Sequence, residues 1–287
     1  MAVVPPVFID CVVAVGGIDE NGNRIWTGSG FFFGRPAGDG QHVFVVTNRH
    51  VAEGLRGGVL RLNPRGTDPA RELTLSEINP TSQEWFYHPR PEVDVAVMPV
   101  GVALDSMGLQ LQFFAREPHI ADVARMNSLG VREGDPIYAL GFPLGLIGRH
   151  RSAVVARIGC VAQIQEALAR SSDTYLIDAG IFPGNSGGPV ILKPEIVFVP
   201  DTKAQNRSYL IGIVVGFVPY QEVAISAQTK RARIVFEENS GLAAVHPVDM
   251  IEEAIDSFYQ IVAQRAQKKT TPPAPPATPV TAERPGR

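Results

Sequence analysis

Short apolar or alternating segments, separated by glycine, proline and asparagine, recur along most of this chain. They lie at residues 7–15, 25–33, 42–47, 59–62, 93–99, 136–141, 153–161, 174–178, 189–199, 209–218, 233–236 and 242–245. Many short strands with turn residues between them are typical of an all-β barrel or sandwich. The pattern therefore predicts a mostly β protein.

One segment near the C-terminus has the periodicity of a helix instead. Its apolar side chains recur at intervals of three and four residues: Val248, Ile251, Ile255, Phe258 and Val262. This spacing places them on one helical face. Pro247 suits the first turn of such a helix. We expect a helix over residues 247–264 with a structural role.

The segment after this helix has a different composition. Residues 265–287 contain six of the 24 prolines in the chain and almost no large apolar side chains. Such a segment buries too little apolar surface to fold. We expect residues 265–287 to be a disordered tail or a linker.

Overall composition narrows the functional classes. The chain has 287 residues, 45% hydrophobic content and a formal charge of −3, which suggests neither a nucleic-acid nor a membrane surface. No apolar run approaches the roughly 18 residues of a membrane span. The N-terminus lacks the basic region of a secretory signal, so we expect a cytoplasmic protein. Cys11 and Cys160 are expected to be reduced thiols. No residue cluster has zinc-like spacing, and we expect no metal or cofactor.

The strongest chemical signal is the segment Gly184-Asn185-Ser186-Gly187-Gly188-Pro189. A serine hydroxyl becomes a nucleophile when a base removes its proton and donors stabilise the oxyanion. Flanking glycines allow a tight turn that exposes Ser186. The backbone N–H groups of residues 184–186, chiefly those of Gly184 and Ser186, would form the oxyanion hole. By itself, the segment could also be a glycine-rich hairpin turn.

Two other segments supply the partners that such a serine needs. His50 follows the apolar run 42–46, and Asp94 lies within the run 93–97. The order His50, Asp94, Ser186 is that of one class of serine hydrolase triad. In that class the histidine transfers the serine proton and the aspartate orients the histidine. The sequence therefore predicts a His50-Asp94-Ser186 triad.

These segments, in this order, resemble the trypsin-like (chymotrypsin-fold) serine peptidases, and most of all the bacterial HtrA/DegP-type protease domain. The other matching segments are Gly28-Ser29-Gly30-Phe31, Gly134-Asp135, Gly141-Phe142-Pro143-Leu144-Gly145, Asp178-Ala179-Gly180-Ile181, Leu210-Ile211-Gly212-Ile213 and Gly241-Leu242-Ala243-Ala244-Val245. The resemblance runs from about residue 8 to about residue 262. HtrA-type proteins continue into a PDZ domain, and we expect none in this chain.

The resemblance implies an architecture of two packed six-stranded antiparallel β-barrels with a C-terminal helix. The peptidase domain would cover residues 1–264, with the first barrel at about 8–100 and the second at about 133–246. Residues 100–132 would cross between them. The first barrel would carry His50 and Asp94 and the second Ser186, so that the site lies in the cleft between barrels.

The resemblance also implies a function. The chain is expected to hydrolyse peptide bonds in protein or peptide substrates through an acyl-enzyme intermediate. Zymogen-type members have an aspartate where this chain has Asn185, so we expect control by loop ordering or a regulatory protein partner. The alternative is a catalytically silent peptide-binding or scaffold homologue of the same fold.

A specificity pocket follows from the same resemblance. Its walls would be Ala179, Gly180, Ile181, Val214, Val215, Gly216, Phe217, Gly241, Leu242 and Ala243. Gly180 stands where trypsin has the aspartate that pairs with a substrate Lys or Arg, so we expect cleavage after a small or medium apolar residue. A carboxylate of the insertion 218–240 (Glu222, Glu237 or Glu238) could reverse this preference. The basic residues 230–233 in that insertion are expected in a solvated loop, with an acidic-partner site or a self-cleavage site as alternatives.

Overall fold

A computed structural model of the protein describes residues 4–55, 57–109, 111–195 and 203–270. The first lobe is one β-sheet with the strand order β5-β4-β1-β2-β3-β7-β6. All neighbours in this order are antiparallel, and β8 adds to β2 in parallel. Its strands are β1 (Val12–Ile18), β2 (Arg24–Ala37), β3 (Gly40–Thr47), β4 (Val59–Leu62), β5 (Arg71–Thr74), β6 (Phe86–Tyr87), β7 (Ala96–Pro99) and β8 (Phe114–Ala115).

The second lobe is a closed antiparallel barrel of six strands in the order β10-β11-β14-β13-β12-β9. Closure leaves the barrel wall without unpaired edges. Its strands are β9 (Pro136–Gly141), β10 (Val155–Gln163), β11 (Tyr175–Ala179), β12 (Pro189–Leu192), β13 (Tyr209–Ile225) and β14 (Ala232–Pro247). Together with the first lobe and the C-terminal helix described next, this confirms the predicted fold class, although the sheet of the first lobe contains eight strands where six were expected.

Helices connect and cover the two lobes. They are α1 (Pro6–Asp10), α2 (Arg49–Glu53), α3 (Leu75–Ile78), α4 (Arg116–His119), α5 (Val123–Leu129), α6 (Gln165–Leu168) and α7 (Val248–Thr270). The region predicted to cross between the lobes contains β8, α4 and α5. Helix α1 occupies the start of a run that was predicted as strand, because Pro5 and Pro6 suit a helix N-terminus and cannot donate to a sheet.

Helix α7 packs on both lobes, not on the second barrel alone. Val248, Ile251 and Ile255 are fully buried, whereas the Phe258 ring lies 4.8 Å from that of Phe86 in the first lobe. Val262, expected on the packed face, is 43% exposed. Ile261 packs against the core in its place.

The helix also ends later than expected, at Thr270. Residues 264–269 are good helix formers without proline, so the helix continues through them. Arg265, placed in the predicted tail, donates to Glu84 at 2.8 Å. The remaining tail, residues 271–287, lies outside the described residues.

The insertion 218–240 is a β-hairpin, not a loop. Strands β13 and β14 stay paired from Pro219↔Asn239 to Ile225↔Ala232, so the two runs predicted at 233–236 and 242–245 belong to one strand. We call residues 219–239 the arm. The basic residues 230–233 lie at its tip, where the backbone N–H of Ser226 donates to the carbonyl of Arg231.

Cys11 is buried, Cys160 is half-buried, and both are free thiols. Burial raises the pKa of the Cys11 thiol well above its ordinary value. No helix among the described residues is long and apolar enough to cross a membrane.

Candidate active site

His50 and Asp94 form a directly bonded pair in the first lobe. His50 lies on α2, immediately after β3, and Asp94 lies two residues before β7. The His50 ring Nδ1 is 2.6 Å from Asp94 Oδ2, and the His50 backbone N–H donates to Asp94 Oδ1 at 3.0 Å. Asn48 Nδ2 donates to the Asp94 carbonyl at 2.7 Å. The carboxylate thus fixes both the backbone and the ring of His50.

The charge state of Asp94 follows from these contacts. Burial raises the pKa of Asp94, but the hydrogen bonds from the His50 ring and backbone outweigh it, and the pKa lies below its ordinary value. An ionised carboxylate only accepts hydrogen bonds. His50 Nδ1 must therefore carry the proton, which leaves His50 Nε2 free to accept one.

Ser186 lies on a tight loop between β11 and β12. The backbone N–H of Asn185 donates to Phe182 O at 3.0 Å, and that of Gly188 donates to Asn185 O at 2.9 Å. Gly187 has φ +83°, and a Cβ there would lie 2.1 Å from the Ser29 carbonyl oxygen. Only glycine fits this combination of backbone angle and close approach.

Ser29, fully buried on β2, connects this loop to the first lobe. Its backbone N–H donates to Ser186 O at 2.8 Å, and its hydroxyl donates to Gly184 O at 2.7 Å. The same hydroxyl accepts from Phe142 N at 2.9 Å. Thr47, three residues before His50, donates to Ser29 O at 2.7 Å. The serine loop and the His50 helix are therefore held against one strand.

The backbone N–H groups predicted to form the oxyanion hole differ in their hydrogen bonds. The Pro183 carbonyl accepts from Leu144 N at 2.7 Å. In a trans peptide the N–H points opposite to the carbonyl, so the Gly184 N–H points away from Leu144. Among the described residues, the N–H groups of Gly184 and Ser186 have no acceptor. The Asn185 N–H, also predicted to contribute, is bonded to Phe182 instead and is excluded.

Gly28 lies between the His50 helix and the serine loop. A Cβ on Gly28 would lie 2.6 Å from Val51 Cγ1, next to His50, and 3.3 Å from Ser186 O. Among the described residues, no hydrogen bond joins Ser186 Oγ to His50 Nε2. The His50 side chain is 55% exposed, and such bonds commonly shorten only when substrate binds.

Sequence reasoning did not assign His246 a role at the site. His246 is buried on β14, and its Nε2 accepts from the Asp94 backbone N–H at 3.0 Å. Its Nδ1 lies 2.7 Å from the Asp173 carbonyl, which can only accept. His246 is therefore neutral with the proton on Nδ1, and it fixes Asp94 from the second lobe. Its position after an ordinary strand run gave no signal for this role.

The predicted pocket segments come together beside the serine loop. Ala179, Ile181, Val214 and Ala243 are buried, and Val214 exchanges backbone hydrogen bonds with Gly187 and Gly188 at 2.9 Å. The other predicted wall residues are partly or fully exposed: Gly180, Val215, Gly216, Phe217, Gly241 and Leu242. Val214 therefore supports the loop from behind, and the accessible wall begins at Val215.

The structure adds a basic residue to this pocket. Arg157 Nη1 lies 3.6 Å from the position of a Cβ on Gly180, and its guanidinium stacks on the Phe182 ring at 5.4 Å. Arg157 forms no ion pair with any of the described residues. By contrast, Glu222, Glu237 and Glu238 are exposed on the arm.

No group of three or more His, Cys, Asp or Glu side chains among the described residues is arranged to hold a metal ion.

Three histidines predict a loss of stability in acid: His88 and His246 are buried, and His119 is half-buried. Burial lowers the pKa of His88, His119 and His246 below the ordinary value of 6.5. Below pH 6.5 the unfolded chain takes up protons that the folded chain resists, so the free energy of unfolding should fall with falling pH. Each histidine contributes a slope of at most about 1.4 kcal/mol per pH unit. Urea unfolding at pH 7.5 and 5.0 measures this loss.

A matched pair of variants tests whether buried histidines cause this loss of stability. His88 is fully buried, with Nε2 3.1 Å from Glu253 Oε2, whereas His150 is exposed. His88→Gln should reduce the difference in stability between the two pH values, and His150→Gln should leave it unchanged. Equal effects of both substitutions would contradict the assignment to buried histidines.

Comparison with known proteins adds an independent observation. The family model of the trypsin-like peptidase domain matches residues 28–195, a range that contains His50, Asp94 and Ser186. A solved structure described as "Structure of GrC" is similar at 15% sequence identity and a TM-score of 0.44, with 91% of this chain and 97% of that chain covered. No curated protein matches the chain.

Proposed function

Because this chain belongs to the family of trypsin-like peptidase domains, we propose that it is a serine endopeptidase with His50, Asp94 and Ser186 as its triad. One arrangement supports the proposal most. The His50–Asp94 pair, bonded at 2.6 Å, lies on the other side of Gly28 from the serine loop. In that loop, no described residue accepts a hydrogen bond from the N–H groups of Gly184 and Ser186. A glycine-rich hairpin turn with a purely structural role does not require a carboxylate-bound histidine from the other lobe beside it.

The proposed mechanism assigns one step to each group. His50 Nε2 takes the proton from Ser186 Oγ as the oxygen attacks the scissile carbonyl carbon. Asp94 keeps the proton on His50 Nδ1 and stabilises the imidazolium. The N–H groups of Gly184 and Ser186 donate to the oxyanion. His50 then protonates the leaving amine, and water hydrolyses the acyl-enzyme through the same groups.

Control by loop ordering or by a partner fits the environment of Asn185 better than zymogen cleavage. Its Oδ1 accepts from the Phe182 backbone N–H at 3.1 Å, so it stabilises the serine loop from within. The side chain is uncharged and buried, and it therefore offers no charge to a new N-terminal amine. Within the family, we place the chain nearest the HtrA/DegP-type domain, on the ordered segments quoted above.

A fluorophosphonate probe tests the proposal, because it reacts only with an activated serine. We expect covalent labelling of the wild-type protein and none of Ser186→Ala, with the added mass on the peptide containing Ser186. The second candidate is a catalytically silent homologue, which the missing hydrogen bond between Ser186 and His50 would favour. Absence of labelling in a folded wild-type protein would establish that candidate instead.

The pocket predicts which bonds are cut. Gly180 supplies no carboxylate, and the Arg157 guanidinium beside it would repel a substrate Lys or Arg. We expect cleavage after small or medium apolar residues such as Val, Ala or Leu. Mass-spectrometric mapping of cuts in a proteome-derived peptide library measures this preference.

Other cleavage preferences would identify other residues as the ones that determine specificity. Cuts mostly after Lys or Arg would refute the apolar pocket and point to Glu222, Glu237 or Glu238. Cuts mostly after Asp or Glu would also refute it and assign recognition to Arg157. In that case Arg157→Gln should abolish the acidic preference, whereas Arg132→Gln, away from the pocket segments, should not.

A further inference from the structure

The arm is a two-stranded ribbon that extends beyond the closed barrel. Its pairing runs over the seven residues from Pro219 to Ile225, a length of about 23 Å at roughly 3.3 Å per residue. Two hydrogen bonds of 2.9 Å, Ser226 N to Arg231 O and Lys230 N to Ser226 O, close the turn. The arm is therefore an ordered hairpin that no further strand flanks among the described residues.

Both faces of the arm expose large apolar side chains. Paired residues of an antiparallel ladder share a face, so Phe236 and Ile234 lie on one face and Val223 and Val235 on the other. The exposed large residues of the arm are Tyr220, Val223, Ile225, Ile234, Val235 and Phe236, each between 48% and 63% exposed. Contiguous apolar surface of this kind marks an interaction site.

An isolated two-stranded hairpin is marginally stable in water, and further strands or a covering element stabilise it. In the described part of the chain nothing covers either face of the arm. Its outer strand edges also carry backbone N–H and carbonyl groups available for pairing. The surface therefore fits an occupant that can pair strands and cover apolar side chains at once.

The charges on the arm identify that occupant. Three basic side chains lie at the tip: Lys230, Arg231 and Arg233. Three acidic side chains lie nearer the barrel: Glu222, Glu237 and Glu238. If two arms lie side by side in opposite directions, each basic tip meets the acidic base of the other, and the apolar middle parts meet each other. One surface is then complementary to itself, as a two-fold symmetric interface requires.

We propose that the arm is a self-association surface, through which two copies of this chain pair antiparallel. The proposal does not depend on peptidase activity. At its base, Asn239 donates to the Ile181 carbonyl of the pocket wall, so the paired copies would meet beside the proposed cleft.

The test uses the full chain with Ser186→Ala, which prevents self-digestion, in sedimentation velocity over a concentration series. We expect a reversible monomer–dimer equilibrium. Val223→Ser with Phe236→Ser, one change on each face, should weaken the dissociation constant at least tenfold. Val262→Ser is the control, because Val262 is an equally exposed apolar residue on α7, and it should leave the equilibrium unchanged. Circular dichroism verifies that each variant is folded.

Charge reversal distinguishes a second copy from any other occupant. Reversal of the tip (Lys230, Arg231 and Arg233 to Glu) or of the base (Glu222, Glu237 and Glu238 to Lys) should each abolish the dimer. An equimolar mixture of the two reversed proteins should form a heterodimer, because both tip-to-base contacts are then complementary again.

Three results would overturn the proposal. They are a wild-type chain that stays monomeric throughout, a dimer that the arm substitutions leave intact, and a mixture of reversed proteins that does not associate. If the chain is monomeric and the arm substitutions in the active protein slow cleavage of long peptides only, the arm binds substrate and not a second copy.

Discussion

Alanine at position 186 is expected to lower kcat on a cleavable peptide by about five to six orders of magnitude, with the fold unchanged. Ser186 Oγ is the proposed attacking atom, and no other hydroxyl of the described residues shares the loop with the Gly184 N–H. Removing it leaves only binding and oxyanion stabilisation, which still accelerate hydrolysis above the rate in water. Steady-state kinetics of wild type and variant, with unfolding curves for both, measure the effect.

Combining substitutions tests whether the three residues act as a unit. His50→Ala should cost about as much as Ser186→Ala, and the double variant should cost little more, because each loss disables the same step. Ser128→Ala, on α5 and outside the cleft, is the control and should retain full activity. Turnover of Ser186→Ala within tenfold of wild type would refute the assignment of the nucleophile.

The all-β class was predictable from the sequence because short apolar runs between turn residues leave few alternatives. The His50 and Asp94 segments were recognisable because His50 follows the apolar run 42–46 and Asp94 lies within the run 93–97. In the structure His50 Nδ1 and Asp94 Oδ2 lie 2.6 Å apart. The Ser186 loop was recognisable because Gly187 occupies a position that only glycine can take.

The contacts between lobes were not predictable in the same way. Ser29 and His246 act on the site through hydrogen bonds to Gly184 and Asp94, which lie 155 and 152 positions away in the chain, and no local pattern encodes such a partner. Helix α7 was found from its periodicity, but periodicity does not show which lobes it contacts. Only the run 233–236 of the arm was predicted as strand, and residues 230–233 were expected in a loop, because residues 226–233 are mostly polar or basic.

Asp94→Asn is expected to lower kcat by about four orders of magnitude while KM changes little. The backbone N–H of His50 needs an acceptor, so the introduced amide would keep its oxygen at the position of Asp94 Oδ1 and present its NH₂ group to the ring. His50 Nδ1 would then have to accept, which moves the ring proton to Nε2 and leaves no base for Ser186. The loss reflects the wrong tautomer and not a displaced residue.

Two further variants separate this explanation from simple misfolding. Glu92→Gln, on an exposed residue two positions before Asp94, should leave kcat unchanged. His246→Leu removes the acceptor of the Asp94 N–H but keeps the carboxylate, so it should cost far less than Asp94→Asn. If Asp94→Asn keeps kcat within tenfold of wild type, Asp94 does not set the tautomer of His50. If His246→Leu costs as much as Asp94→Asn, the position of the carboxylate matters more than its charge, because loss of the backbone contact alone would then disable His50.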